Sequence, residues 1–242
     1  MNSVSETFIG GLGLTHLAVY NQRPGPDGIH AGCAHVHALT AEAYYVISGT
    51  GAIELHDLER GFRSIPLGPG DYVQFPPNTL HRSVNGEKLT VLALMTNAGL
   101  AERGDARIYF GPDVDADPEA FERLKALPRE RGLEGALERR DASAREYQRL
   151  LAMWEDDRES YWRELQRFCA LHSGEMRGRA ETFRPIIAGG PEAWVADAFA
   201  RLAEDRPRNP VIERPAATGV TKQDRHLGMC GLLHQLCALQ PV

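Results

Sequence analysis

The first 112 residues alternate apolar and polar positions in short runs, and the runs are separated by turn residues. His35-Val36-His37 is followed by Ala43-Tyr44-Tyr45-Val46-Ile47, a β-branched and aromatic stretch of the kind strands prefer. Ser48-Gly49-Thr50-Gly51 predicts a tight hairpin turn, and Ala52-Ile53-Glu54-Leu55 returns with alternation. Gly68-Pro69-Gly70-Asp71 predicts another turn before a strand over Tyr72–Phe75. Pro76-Pro77-Asn78 stops that strand, and His81 begins the next. Short strands with closely spaced turns predict a β-barrel or sandwich.

After Tyr109-Phe110-Gly111-Pro112 the period changes from two to that of a helix. Asp117-Pro118 is a helix start, with Asp at the N-cap and Pro at the first helical position. Tyr147, Leu150, Leu151, Trp154, Tyr161, Leu165, Phe168 and Cys169 recur at threes, fours and sevens, which predicts one long helix from Asp141. Gly174–Gly190 reads as a loop, and a further helix opens at Pro191. Pro207–Val220 reads as extended chain. Gly228–Leu239 is apolar enough for a buried closing helix, on which Cys230, His234 and Cys237 would share a face. The predicted organisation is a β-barrel over residues 1–112 and a helical extension with a tail over 113–242.

The chain has 242 residues and a formal net charge of −6, and no basic patch with interleaved aromatics points to nucleic acid. No run approaches the ~18 apolar residues of a membrane span, and the N-terminal residues lack the basic and apolar regions of a signal peptide. The four cysteines show no CxxC pairing. A reducing cytoplasm is the expected location, with a small molecule as ligand and no nucleic acid or membrane partner.

Candidate chemistry concentrates in three of the nine histidines and one glutamate. His35 and His37 are two apart and share a strand face; Glu42 opens the next strand, and His81 another. Such a nitrogen/oxygen set suits a divalent first-row metal. Three neutral imidazoles and one carboxylate leave such an ion one net positive charge, with two octahedral positions open. Face parity brings Tyr44 and Ser83 inward beside Glu42 and His81, and Cys33 beside His35 if that strand is regular. Tyr44 could transfer a proton, orient a substrate or simply pack. Cys33, Gln74 and Ser83 could touch a substrate or line the wall, and parity leaves open whether Tyr72 and Gln74 or Val73 and Phe75 face inward. Arg82 points outward.

His35, His37, Glu42 and Gly49, then Gly70, Pro76, His81 and Asn85, resemble the two sequence motifs of the cupin superfamily. Gly28 stands one residue too far from His35. Asn78 replaces the motif's second glycine, and Asn is the next-best residue for a left-handed backbone position. The resemblance covers residues 14–112. It implies a double-stranded β-helix (jelly-roll) barrel, here mainly β with a C-terminal α extension. It further implies a metal held by His35, His37, Glu42 and His81, with iron expected first and manganese, nickel or zinc as alternatives.

Cupin chemistries include dioxygenases, decarboxylases, isomerases and lyases. A largely apolar cavity makes an iron-dependent dioxygenase-type oxidoreductase the leading expectation. A non-redox isomerase, lyase or decarboxylase and a non-enzymatic ligand-binding cupin are the alternatives. Any lysine or arginine at the cavity mouth would favour anionic substrates. Uncovered sheet edges make a homodimer the expected assembly.

Overall fold

Seven strands precede the helices in the computed structural model, which describes residues 9–203 and 226–237. They are β1 (Gly13–Val19), β2 (His35–Val36), β3 (Glu42–Asp57), β4 (Gly61–Leu67), β5 (Tyr72–Phe75), β6 (Leu80–Met95) and β7 (Arg107–Ile108). The helices are α1 (Pro112–Asp115), α2 (Pro118–Asp156), α3 (Arg158–Gly178), α4 (Ala180–Ile187) and α5 (Ala193–Leu202). Two further strands, β8 (His226–Leu227) and β9 (Gly231–Cys237), follow. The nine strands form one antiparallel sheet of order β4-β3-β6-β1-β9-β8, with β5 added to β3 and β2 set between β6 and β7. β3 and β6 pair from Glu42↔Met95 to His56↔Leu80, and β5 and β4 flank opposite halves of β3. This is the expected jelly-roll architecture with a helical extension.

The hairpin expected at Ser48–Gly51 does not form: β3 runs straight through it. The register with β6 instead shifts on either side of Thr50. Gly49 has φ +76°, and a Cβ there would lie 2.3 Å from the Glu87 carbonyl oxygen. Glycine here permits a bulge and the close approach of β6, so a turn signal marks a bend in a long strand.

The closing helix expected over Gly228–Leu239 is also absent. Residues 231–237 are a strand, paired with β1 through Leu17↔Leu233 and Ala18↔Leu232. Cys230 and Leu233 pack into the barrel core with Leu17, Tyr44 and Phe75. Leu232 packs on the other side, against Tyr20 and Leu137. A strand that packs apolar side chains on both faces reads as a continuous apolar run, which periodicity cannot tell from a buried helix. The chain therefore returns to the barrel after its helices. On a strand, Cys230, His234 and Cys237 no longer share a helical face. Pro207–Val220 lies outside the described residues.

The single helix expected from Asp141 is two. α2 stops at Asp156, and the Asp157 side chain accepts from Ser160 N at 3.1 Å to start α3. As expected, Asp117 caps α2, accepting from Glu119 N and Ala120 N at 3.0 and 3.1 Å. The loop reading of Gly174–Gly190 gives way to the end of α3 and to α4, because Met176 and Phe183 bury against Leu100. Tyr147, Leu150, Tyr161, Leu165, Phe168 and Cys169 cover Ala34, Val36, Leu80 and Tyr109 on the barrel.

That cover gives polar residues on the outer barrel face an interior. Arg82 points outward from the barrel yet is only 1% exposed, meeting Asp27 at 2.5 Å and lying 5.0 Å from the centre of the Tyr147 ring. His56 contacts the Tyr161 hydroxyl through Nδ1 at 2.9 Å and the Tyr147 hydroxyl through Nε2 at 2.8 Å. A neutral imidazole offers one donor and one acceptor, which suits two hydroxyls, and burial pushes the His56 pKa down to about 3.

Candidate metal centre

His35 on β2, His37 just after it, Glu42 at the start of β3 and His81 on β6 converge inside the barrel. Their candidate ligand atoms all lie within 4.8 Å of one another, and all four residues are buried. The sequence places them there through register, since His35 pairs directly with His81 across β2 and β6. Asn78 ends the turn before β6 with φ +61°, the left-handed conformation expected of the residue that replaces a motif glycine.

The hydrogen bonds orient the rings. His35 Nδ1 donates to Cys33 O at 3.1 Å, His37 Nδ1 to Asp105 O at 2.7 Å and His81 Nδ1 to Thr79 O at 3.0 Å. Carbonyl oxygens only accept, so each neutral ring carries its proton on Nδ1 and exposes the Nε2 lone pair. Glu42 Oε2 lies 3.1 Å from His81 Nε2 and 3.3 Å from His37 Nε2. Yet Glu42 Oε2 and His81 Nε2 are buried without a hydrogen-bond partner. A carboxylate oxygen facing two imidazole nitrogens in a buried site calls for positive charge between them, either a shared proton or a bound cation. The donor set therefore fits a divalent metal, with carbonyls fixing the rings from behind as in metal sites generally.

Charges follow the same logic. Burial alone would raise the Glu42 carboxyl, but His81 and His37 hold it well below the usual carboxylate range. Burial works against a charge on His37, and the adjacent Glu42 and Asp105 raise its pKa overall. Burial and the His81 and His37 rings push His35 down.

His35, His37 and Glu42 open on a cavity of about 230 Å³. Leu17, Ala93, Met95 and Leu233 give it an apolar wall, but Arg139 of α2 and Glu102 of the turn Ala101–Arg103 also line it. Neither Arg139 nor Glu102 was singled out from the sequence, since each lies far along the chain from the histidines. The nearest signal was the general one that a cation at the mouth would favour anionic substrates.

The other candidate residues divide. Tyr44 and Ser83 do face inward, and their hydroxyls lie 3.2 Å apart, both fully buried. Tyr44 is also 4.0 Å from Cys230 Sγ, burial raises its pKa well above the usual phenol value, and it is not among the cavity-lining residues. Its position is that of a packing residue behind the cavity wall. Cys33 does not share the cavity with His35, because β2 begins only at His35 and the chain before it is irregular. Its side chain packs with Ile108, Phe110 and Phe121. Gln74 is exposed and accepts from the Tyr72 hydroxyl at 2.8 Å; Phe75 faces inward, its ring 4.6 Å from that of His81. Cys230, brought by the C-terminal hairpin, lies 3.6 Å from His35 Nε2. The sequence hid this contact because Cys230 reaches it only as part of a sheet.

Residues 23–96 match the family described as "Cupin domain". Two proteins named glucose-6-phosphate isomerase are similar over part of their length. That of Thermococcus gammatolerans is 34% identical over 88 residues, covering 35% of this chain and 47% of its own. That of Thermococcus kodakarensis is 37% identical over 89 residues, covering 33% and 47%. The chain thus spans about half the length of these curated relatives. An oxalate decarboxylase variant of Bacillus subtilis is 26% identical over 30% of this chain and 18% of its own, with a TM-score of 0.25.

Proposed function

The chain carries a cupin domain, and from that premise we propose that it is a metal-dependent enzyme that isomerises or cleaves a small oxygenated molecule without oxidising it. The observation that carries this reading is the set of three imidazole lone pairs and one carboxylate, all oriented and opening on a cavity. A divalent ion held by His35, His37, Glu42 and His81 would supply Lewis-acid polarisation of a substrate oxygen. The protein does the rest. The carbonyls behind His35, His37 and His81 keep each Nε2 directed inward. Leu17, Met95 and Leu233 keep the wall around the reacting atoms dry.

The dioxygenase reading rested on an apolar cavity. The wall is still mainly apolar, but Arg139 and Glu102 add charge to it, and the relatives named as isomerases support the non-redox alternative. The deciding experiment incubates metal-loaded protein with hydroxy acids, keto acids and sugar phosphates, under air and under argon, with product followed by NMR. Equal turnover in both atmospheres is expected. Consumption of substrate only with oxygen would restore the dioxygenase, and tight binding of a compound returned unchanged would favour a ligand-binding cupin.

We also propose a homodimer. Tyr45, Ile47 and Tyr72 are 45–58% exposed on adjacent strands and offer an apolar face to a second copy. Light scattering should give twice the chain mass; a concentration-independent monomer removes the proposal.

A further inference from the structure

Among the described residues, most buried arginines are matched by carboxylates. Arg82 meets Asp27 at 2.5 Å, Arg107 meets Glu175 at 2.7 Å and Arg140 meets Asp141 at 2.6 Å. Arg139 differs. It is 6% exposed, its Nη2 donates to Gly228 O at 2.7 Å, and its buried Nε has no partner. Among the described residues no carboxylate lies within ion-pair distance of it. A guanidinium does not shed its proton, so the positive charge stays. A buried charge without a counter-ion is unfavourable, and a ligand that neutralises it removes the penalty.

The direction of this charge is fixed. Gly228 O accepts from Arg139 and also from the Tyr20 hydroxyl at 2.8 Å, so two side chains hold the link between β8 and β9. The thiol of Cys33 lies beside the same guanidinium and is coupled to it electrostatically. Arg139 lines the cavity that also exposes His35, His37 and Glu42. It comes from α2, outside the residues that match the cupin family.

We propose that Arg139 anchors the anionic group of the substrate, an oxyanion of the carboxylate or phosphate type. The opposite end of the same molecule then presents its oxygen to the imidazole cluster. A planar guanidinium suits either oxyanion, because its N–H groups match paired oxygens. The cavity of about 230 Å³ lies below the roughly 300–1,000 Å³ common for small-molecule pockets, which suits a small anionic group beside the imidazoles. The substrate class rests on the proposed enzymatic reading; the anion site itself does not, and the test separates the two.

The test is calorimetric titration of the full-length, metal-stripped protein with inorganic phosphate and, separately, with glycolate. One of the two should bind at a single site, and the stronger binder identifies phosphate or carboxylate as the source. Arg139→Met should weaken that binding at least about 10-fold, and Arg139→Lys should recover part of it. His81→Ala should keep the anion affinity while losing metal, so failure of the metal reading leaves the anion site standing. Should Arg139→Met not fold, arginine modification of the wild type by phenylglyoxal, mapped by mass spectrometry, replaces it. The bound anion should slow modification of Arg139. Absence of binding by either anion, equal affinity in Arg139→Met, or an unchanged modification rate overturns the proposal.

Discussion

Replacing Glu42 or His81 by alanine should reduce bound divalent metal from about one equivalent per chain to almost none after desalting, while the barrel stays folded. Glu42 is the sole anion in the ligand set, and His81 supplies one of three imidazoles. The fold should survive because the apolar core, from Leu17 and Val46 to Val91, makes the same contacts without them. The metal-free proteins sharpen the test. Each protein is compared with its own metal-free form: wild type should gain stability when metal is added, and Glu42→Gln, which lacks the anionic ligand, should not. At 100 times its Kd the ion stabilises the wild type by about 2.7 kcal/mol, and the variant should show almost none of this. Elemental analysis and thermal melts with and without metal measure both parts. Full metal retention in Glu42→Ala and in His81→Ala would sink the assignment.

Arg82→Ala should be the most damaging substitution outside the metal centre. Both partners of the Arg82–Asp27 pair are buried, with side chains 1% and 6% exposed, and the pair lies under the helical extension. Removing Arg82 strands the Asp27 carboxylate and leaves a void beneath Tyr147. Breaking a buried pair in this way costs about 3–5 kcal/mol. In a chain of this size that lowers Tm by roughly 10 °C. Urea unfolding of Arg82→Ala and of the double variant Arg82→Met/Asp27→Leu makes the comparison. The double variant should be the more stable of the two, because it no longer strands Asp27, while Glu54, 3.8 Å from Arg82, loses the same partner in both. A single-variant loss below about 1 kcal/mol would show that the pair does not lock the helices to the barrel.

The two substitutions probe regions of unequal legibility. The ligand set was readable in the sequence because each of its residues is tied to a local device. His35 and His37 share a face by strand alternation, Glu42 opens a strand, and Asn78 supplies the left-handed turn before His81. The Arg82 contact was readable only as far as its outward direction. What covers that face is Tyr147, 65 positions further along the chain than Arg82.

The sequence by itself determined a β-barrel or sandwich followed by helices, from periods of two and near four and from turn residues, all of which act over a few positions. The jelly-roll class and the four converging side chains came from the resemblance to the two cupin motifs. Tertiary structure alone decided that Ser48–Gly51 bends a strand and that Gly228–Leu239 joins the sheet. The same local signals fit two conformations, and the free edge of β1 selects one. It also decided that Gln74 is exposed and that Cys33 packs behind the cavity wall, beside Arg139. It brought Arg139 and Cys230 to the cavity wall from 102 and 193 positions beyond His37. Contacts at that separation are set by how whole elements pack, and no spacing within the sequence encodes them.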